Sequence, residues 1–144
     1  SEITEFTNGK FEPVIDDASI TDKSAVKRVV LHAGKIHYDL LAEAEKRQLK
    51  DVALVRLEQY YPLPQEQLKV VLAQYPDAEL VWAQEEPENM GAWPFICLEL
   101  AKRLMPGRAI SVASRPASAS PATGSSKRSA QELIDLMDHA LTVR

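Results

Sequence analysis

Four short apolar runs alternate with segments whose apolar residues recur at helical spacing. The runs span Lys27–Ala33, Asp51–Leu57, Glu79–Ala83 and Ala109–Ala113. Val29, Val30 and Leu31 are consecutive, as are Val52, Ala53, Leu54 and Val55, so these strands are apolar on both faces and belong inside a mostly parallel sheet. A helix over His37–Leu49 follows the first run. Leu68, Val71, Leu72 and Tyr75 fall at i, i+3, i+4 and i+7, one stripe turned toward the sheet, and Pro64 suits the first turn of that helix. The stripe recurs as Leu133, Met137, Ala140 and Leu141, and as Leu98, Ala101 and Met105 before Pro106 and Gly107 stop the third helix. A weaker pattern over Lys10–Ile15 predicts a fifth strand, confined to a sheet edge because Pro13 has no N–H to donate. Strands alternating with helices predict an α/β fold with helices on both faces of the sheet.

Composition narrows the function more than the fold. The chain has 144 residues, 45% of them apolar and 26% charged, the balance of a single soluble domain that can bury a core. A net charge of −4 gives no basic excess to release counterions or hold headgroups, which argues against nucleic acid or an anionic membrane as a general partner. A lone Cys97 excludes an intrachain disulfide, and with the scattered histidines it forms no metal-ligand spacing. A reducing compartment follows: a bacterial cytoplasm, or a mitochondrial matrix. Ser114 to Ser126, SRPASASPATGSS, has the composition of a flexible linker.

In an open α/β sheet ligands gather at the carboxyl ends of the strands, here His32 to Lys35, Glu58 to Tyr61, Gln84 to Gly91 and Ser114 to Gly124. Gly34 permits a tight turn and Lys35 could meet an anion, but no GxGxxG or P-loop surrounds them. His32 or His37 could act as a general base only with an orienting partner that sequence does not reveal. Glu85, Glu86 and Glu88 form either a solvated loop or a set of pairs with Lys35, Arg115 or Arg128. Trp93 either packs a domain face or, exposed beside Met90, marks an interface. No GxSxG elbow is present, and Cys97 falls in a helix stripe where buried packing is expected. No glycine-aspartate-glycine segment followed by paired asparagines is present to hold thiamine diphosphate through magnesium.

VKRVVLHAGKIHYDL, VALVRLEQYYPLP, VWAQEEPENMGAW and RPASASPATGS, in this order, resemble the end of the decarboxylating first component of 2-oxoglutarate dehydrogenase, over roughly Gly9 to Leu141. The resemblance implies a transketolase-type carboxy-terminal domain. Its fold would be a three-layer α/β/α sandwich on a mixed, mostly parallel five-stranded sheet whose first strand, Lys10–Ile15, is antiparallel. Residues 1–8 would be a linker remnant, cut within a linker, and 9–144 the domain. The parent enzyme would decarboxylate 2-oxoglutarate on thiamine diphosphate with magnesium, bound by two preceding domains, and succinylate the lipoyl arm of its partner acyltransferase in the citric acid cycle. This chain would then carry no catalytic or cofactor-binding residue of its own.

The same resemblance turns SRPASASP into an ordered loop over the sheet crest. It also implies a homodimer, with Met90 and Trp93 as candidate interface residues. Lys35, Arg115, Lys127 and Arg128 become a candidate anion site for an adenine nucleotide or acetyl-CoA. Two departures weaken the effector inference: Ala33 stands where the family commonly has Ser, and Ser129 where it has His. The alternative, for which periodicity alone suffices, is a free-standing doubly wound module that binds a small molecule or a protein.

Overall fold

The computed structural model describes residues 12–59, 62–104, 107–117 and 126–143. Five strands form one sheet: β1 (Val14–Ile15), β2 (Arg28–Ala33), β3 (Val52–Leu57), β4 (Glu79–Pro87) and β5 (Ile110–Arg115). Their spatial order is β1-β3-β2-β4-β5, parallel throughout except that β1 runs antiparallel to β3. The helices are α1 (Ile36–Lys46), α2 (Gln65–Ala73), α3 (Trp93–Ile96, continued by a π-helical stretch Cys97–Leu104) and α4 (Ser126–Leu141). A short 3₁₀ turn, Lys23–Ala25, precedes β2.

The apolar runs of β2, β3 and β4 are buried on both faces because alternate side chains feed two separate cores. Val29, Leu31, Ala53, Val55, Leu80 and Trp82 face α2 and α3, meeting Leu68, Leu72, Ile96 and Leu100. Val30, Val52, Leu54, Val81, Ala83 and Ala113 face α1 and α4, meeting Ile36, Leu40, Leu136 and Met137. Each of the valine, leucine, isoleucine and methionine side chains among them contributes roughly 1.5–3 kcal/mol of transfer free energy, so the sheet interior holds the three layers together.

Polar groups finish the edges. Arg28, 2% exposed, donates from Nε to Glu79 Oε1 at 2.6 Å and from Nη1 to the carbonyls of His139 (2.6 Å) and Ala140 (3.2 Å), capping the end of α4. Arg108 does the same for α2, donating to the carbonyls of Leu72, Tyr75 and Ala78. Where β1 stops after two residues, Asp17 Oδ2 takes over the exposed edge of β3 by accepting from the Leu54 N–H at 2.9 Å.

Several elements differ from the sequence expectation, the first helix among them, which runs Ile36–Lys46 and stops short of Leu49. Lys10 and Phe11 lie outside the described residues, and the described part of the first strand is Val14–Ile15. The fourth strand continues past Ala83 to Pro87. The final strand extends to Arg115, so the first residues of the supposed linker are sheet. In the third helix the π-helical winding replaces the expected 3.6-residue period: Ile96 and Leu100 are buried while Leu98 is exposed. Cys97 is accordingly half-buried, not packed away in the core as its stripe position suggested.

Candidate functional site at the sheet crest

Strand order reverses between β2 and β4, because the connection from β2 leads to β3 on one side and the later strands add on the other. Such a switch point opens a crevice at the carboxyl ends of the strands. A cavity of about 280 Å³ lies there, lined by Ala33, Gly34, Lys35, Ile36, Glu85 and Glu86. Gly34 turns the chain from β2 into α1 with φ +81, a conformation that favours glycine.

One buried amide organises the far wall. Gln84 Oε1 accepts from the indole Nε1 of Trp82 and from the backbone N–H of Trp93, both at 2.9 Å. Its Nε2 donates to the carbonyls of Pro87 (2.9 Å) and Met90 (2.7 Å), with that of Glu86 at 3.3 Å. Every donor and acceptor of the side chain is used. Gly91 closes this wrap at φ +68, where an added Cβ would sit 3.1 Å from Glu86 Cβ and 3.2 Å from both ends of the Gln84 amide. The QEEPENMGAW segment is therefore an ordered wrap, strand as far as Pro87, from which Glu86 and Glu88 stay exposed as a solvated loop would leave them. Ala83 pairs with Ala113 and Pro87 with Arg115, so four steps along β4 match two along β5, and the bulge accommodates Gln84.

The candidate cations fall into two groups. Lys35, 86% exposed, reaches Glu85 Oε2 at 3.9 Å across the cavity. On the β5 side, Arg115 is largely buried and donates from Nη1 to the Ser129 carbonyl at 2.9 Å and to Glu132 Oε1 at 3.4 Å. Arg128, 73% exposed, pairs with the other oxygen of Glu132 at 3.7 Å. Lys127 is exposed on the first turn of α4. Sequence reasoning looked to Glu85, Glu86 and Glu88 to neutralise these cations, and Glu132 was missed. Its i+4 spacing from Arg128 on a helix was the available signal. Most of the SRPASASPATGSS segment lies outside the described residues.

His32 is not a turn residue but an inward-facing member of β2, fully buried. Its Nδ1 lies 3.1 Å from the Val30 carbonyl and its Nε2 lies 2.8 Å from His37 Nδ1. A carbonyl only accepts, so His32 carries its proton on Nδ1, and His37 must in turn donate from Nδ1 to His32 Nε2. The rings are within 8° of coplanar with centroids 5.1 Å apart, which is an end-to-end hydrogen bond and not face-to-face stacking. Burial pushes the His32 imidazole down to about 3, aided by His37 and Arg56. Desolvation, then the Arg56 guanidinium, also holds His37 below its ordinary value. The orienting partner for a histidine base therefore exists, but it serves a dyad that is neutral and turned into the α1 face.

Trp93 is half-buried against the α2 and α3 core, with Met90 half-buried beside it and Pro94 and Leu98 exposed along the same helix. Among the described residues no three His, Cys, Asp or Glu side chains are grouped to hold a metal ion.

The fold defines an α/β domain built on a mixed, mostly parallel five-stranded sheet. The chain belongs to the 2-oxoglutarate dehydrogenase C-terminal family, which it matches over residues 1–141. It is 42% identical over 125 residues to the 2-oxoglutarate dehydrogenase E1 component of Cupriavidus necator, covering 86% of this chain and 13% of that protein. It is 38% identical over 144 residues to the oxoglutarate dehydrogenase of Buchnera aphidicola, covering 99% of this chain and 16% of that protein. A multifunctional 2-oxoglutarate metabolism enzyme of Mycolicibacterium vanbaalenii is 42% identical over 146 residues, covering 97% and 12%. The chain thus spans about one-eighth to one-sixth of the length of these relatives.

Proposed function

We propose that residues 9–144, after a linker at 1–8, are the carboxy-terminal structural and regulatory domain of a thiamine-diphosphate-dependent 2-oxoglutarate dehydrogenase component. The parent oxidoreductase would decarboxylate 2-oxoglutarate and pass the succinyl group to the lipoyl arm of its acyltransferase partner. The observation that carries this reading is alignment of 86–99% of the chain to proteins of that name, of which it is 13–16%. A free-standing module has no comparable observation in its favour.

Thiamine diphosphate with magnesium supplies the carbanion-stabilising chemistry of such enzymes when bound, and the crest carboxylates among the described residues do not fit it. Magnesium needs converging oxygen ligands, whereas Glu85 faces Lys35 and both oxygens of Glu132 face arginines. No decarboxylation step is assigned to these side chains. The domain would instead dock on the preceding domains and a homodimer partner through the Met90 and Trp93 face. Its crest cations, Lys35, Arg115, Lys127 and Arg128, would take an anionic effector of the adenine nucleotide or acetyl-CoA class. A bacterial cytoplasm suits this role, and no helix among the described residues is long and apolar enough to cross a membrane.

The test is twofold. The purified chain, given 2-oxoglutarate, thiamine diphosphate and magnesium, releases no carbon dioxide above background. Exchanged for the matching region of the Cupriavidus necator protein, it supports decarboxylation with an artificial electron acceptor. Mutation-sensitive turnover by the chain alone, or a folded chimera without activity, overturns the reading.

A further inference from the structure

We infer that Gln84 is a positioning residue that couples the Arg115 end of β5 to the apolar face carrying Trp93, so that a change of charge or occupancy at the one is felt at the other. The inference rests on the proposed roles of these two surfaces, and its physical basis is a continuous run of hydrogen bonds. The Glu88 N–H donates to the Arg115 carbonyl at 3.1 Å, and Pro87 stands opposite Arg115 in the sheet register. Gln84 then holds the carbonyls of Pro87 and Met90 with its amide nitrogen, and the Trp93 N–H with its amide oxygen. Within the run from residue 84 to 93, beside the Met90 N–H bond to the Pro87 carbonyl at 2.9 Å, one buried and fully bonded side chain joins the Pro87 end to Trp93. Gly91 closes over that amide where an added Cβ would stand 3.2 Å from both of its ends, so the absence of a side chain there lets the segment wrap Gln84. A displacement of Arg115 therefore passes to Pro87, from Pro87 to the Gln84 amide, and from the amide to the Trp93 backbone. Neutral hydrogen bonds in a buried network of this kind reinforce one another, so the segment responds as a unit.

The experiment is a double-mutant cycle read by amide hydrogen exchange at Trp93, with the β2 amide of Leu31 as the internal control for global opening. Arg115→Ala keeps the carbonyl that accepts from Glu88 but frees the end of β5 from Ser129 and Glu132. The displacement weakens the bond from the Trp93 N–H to Gln84 and raises the exchange rate of that N–H about tenfold, leaving Leu31 unchanged. Gln84→Met, similar in shape but without the amide, raises it too, and adding Arg115→Ala in that background produces no further change. Gln84→Glu serves if the methionine variant does not fold: it keeps the acceptor for Trp93 and loses the donors to Pro87 and Met90, and it too abolishes the response to Arg115→Ala. An unchanged Trp93 amide in Arg115→Ala, or effects that add in the double variant, overturns the inference. Pyrophosphate titrated into the unaltered chain at low salt tests the anion site separately. Failure to bind removes that reading while the cycle still decides the coupling.

Discussion

Acidification should destabilise this protein through one residue more than any other. His32 is fully buried and can stay so only as the neutral imidazole, since burial holds its protonation down to about 3 against an ordinary value of 6.5. In the unfolded chain the same ring binds a proton as the pH falls through 6.5, so the unfolded state takes up protons that the folded state refuses. The penalty is absent well above 6.5, grows as the pH falls below it and levels off near 3. Each pH unit within that window costs about 1.4 kcal/mol, or about 2 kcal/mol in total between pH 8 and pH 5. That is a large fraction of the roughly 5–15 kcal/mol that a domain of this size has to lose. Urea unfolding at a series of pH values should show the loss, and His32→Gln, which has nothing to titrate, should show a pH dependence shallower by about that amount. The absolute stability of the variant is immaterial because only the slope is read. Nitrogen chemical shifts of the His32 ring provide a second check without mutation, remaining those of the neutral Nδ1–H form at pH 5. Equal slopes in both proteins, or a ring that protonates above pH 5 while the protein stays folded, would refute the reasoning.

Gly91→Ala should cost about 2–3 kcal/mol, combining a left-handed conformation with a Cβ forced against Gln84 and Glu86, whereas Gly34→Ala, at similar φ with open space around it, should cost only about 1 kcal/mol. Thermal melts of the pair measure the difference, and equal losses would show that crowding at Gly91 is relieved without cost. Arg28→Met should destabilise by about 2–3 kcal/mol, mainly by stripping two carbonyls at the end of α4 of their buried donor. Amide exchange should place the resulting fraying in the last turn of that helix. Glu132→Gln releases Arg115 and Arg128 from their shared carboxylate, and calorimetry at low salt should find pyrophosphate bound several-fold more tightly, with a steeper salt dependence. Unchanged affinity would leave these arginines a purely structural role.

Much of the fold is legible without coordinates because it follows from local chemistry. Consecutive apolar residues at Val29 to Leu31 and Val52 to Val55 require burial on two faces, and Pro13 keeps the first strand at an edge. The stripe of Leu68, Val71 and Leu72 forms a helix against the sheet, with Tyr75 buried just past its end. The motif pair at 84–93 and 115–124 is enough to point to the family. Other features depend on partners far apart in sequence, which no local period encodes. Gln84 reads as one more polar residue before an acidic loop until the fold brings Trp82, Pro87, Met90 and Trp93 around its amide. His32 and His37 are five residues apart, and only the turn at Gly34 sets the half-buried His37 ring of α1 end to end with the buried His32 ring of β2. Glu132 becomes the counterion of Arg115 because α4 packs back across β5. Apolar periodicity specifies which faces must leave water, and that is a property of each segment alone. Which polar groups then meet is decided by strand order and helix docking, because a buried hydrogen bond or ion pair takes its energy from a partner that only the tertiary structure supplies.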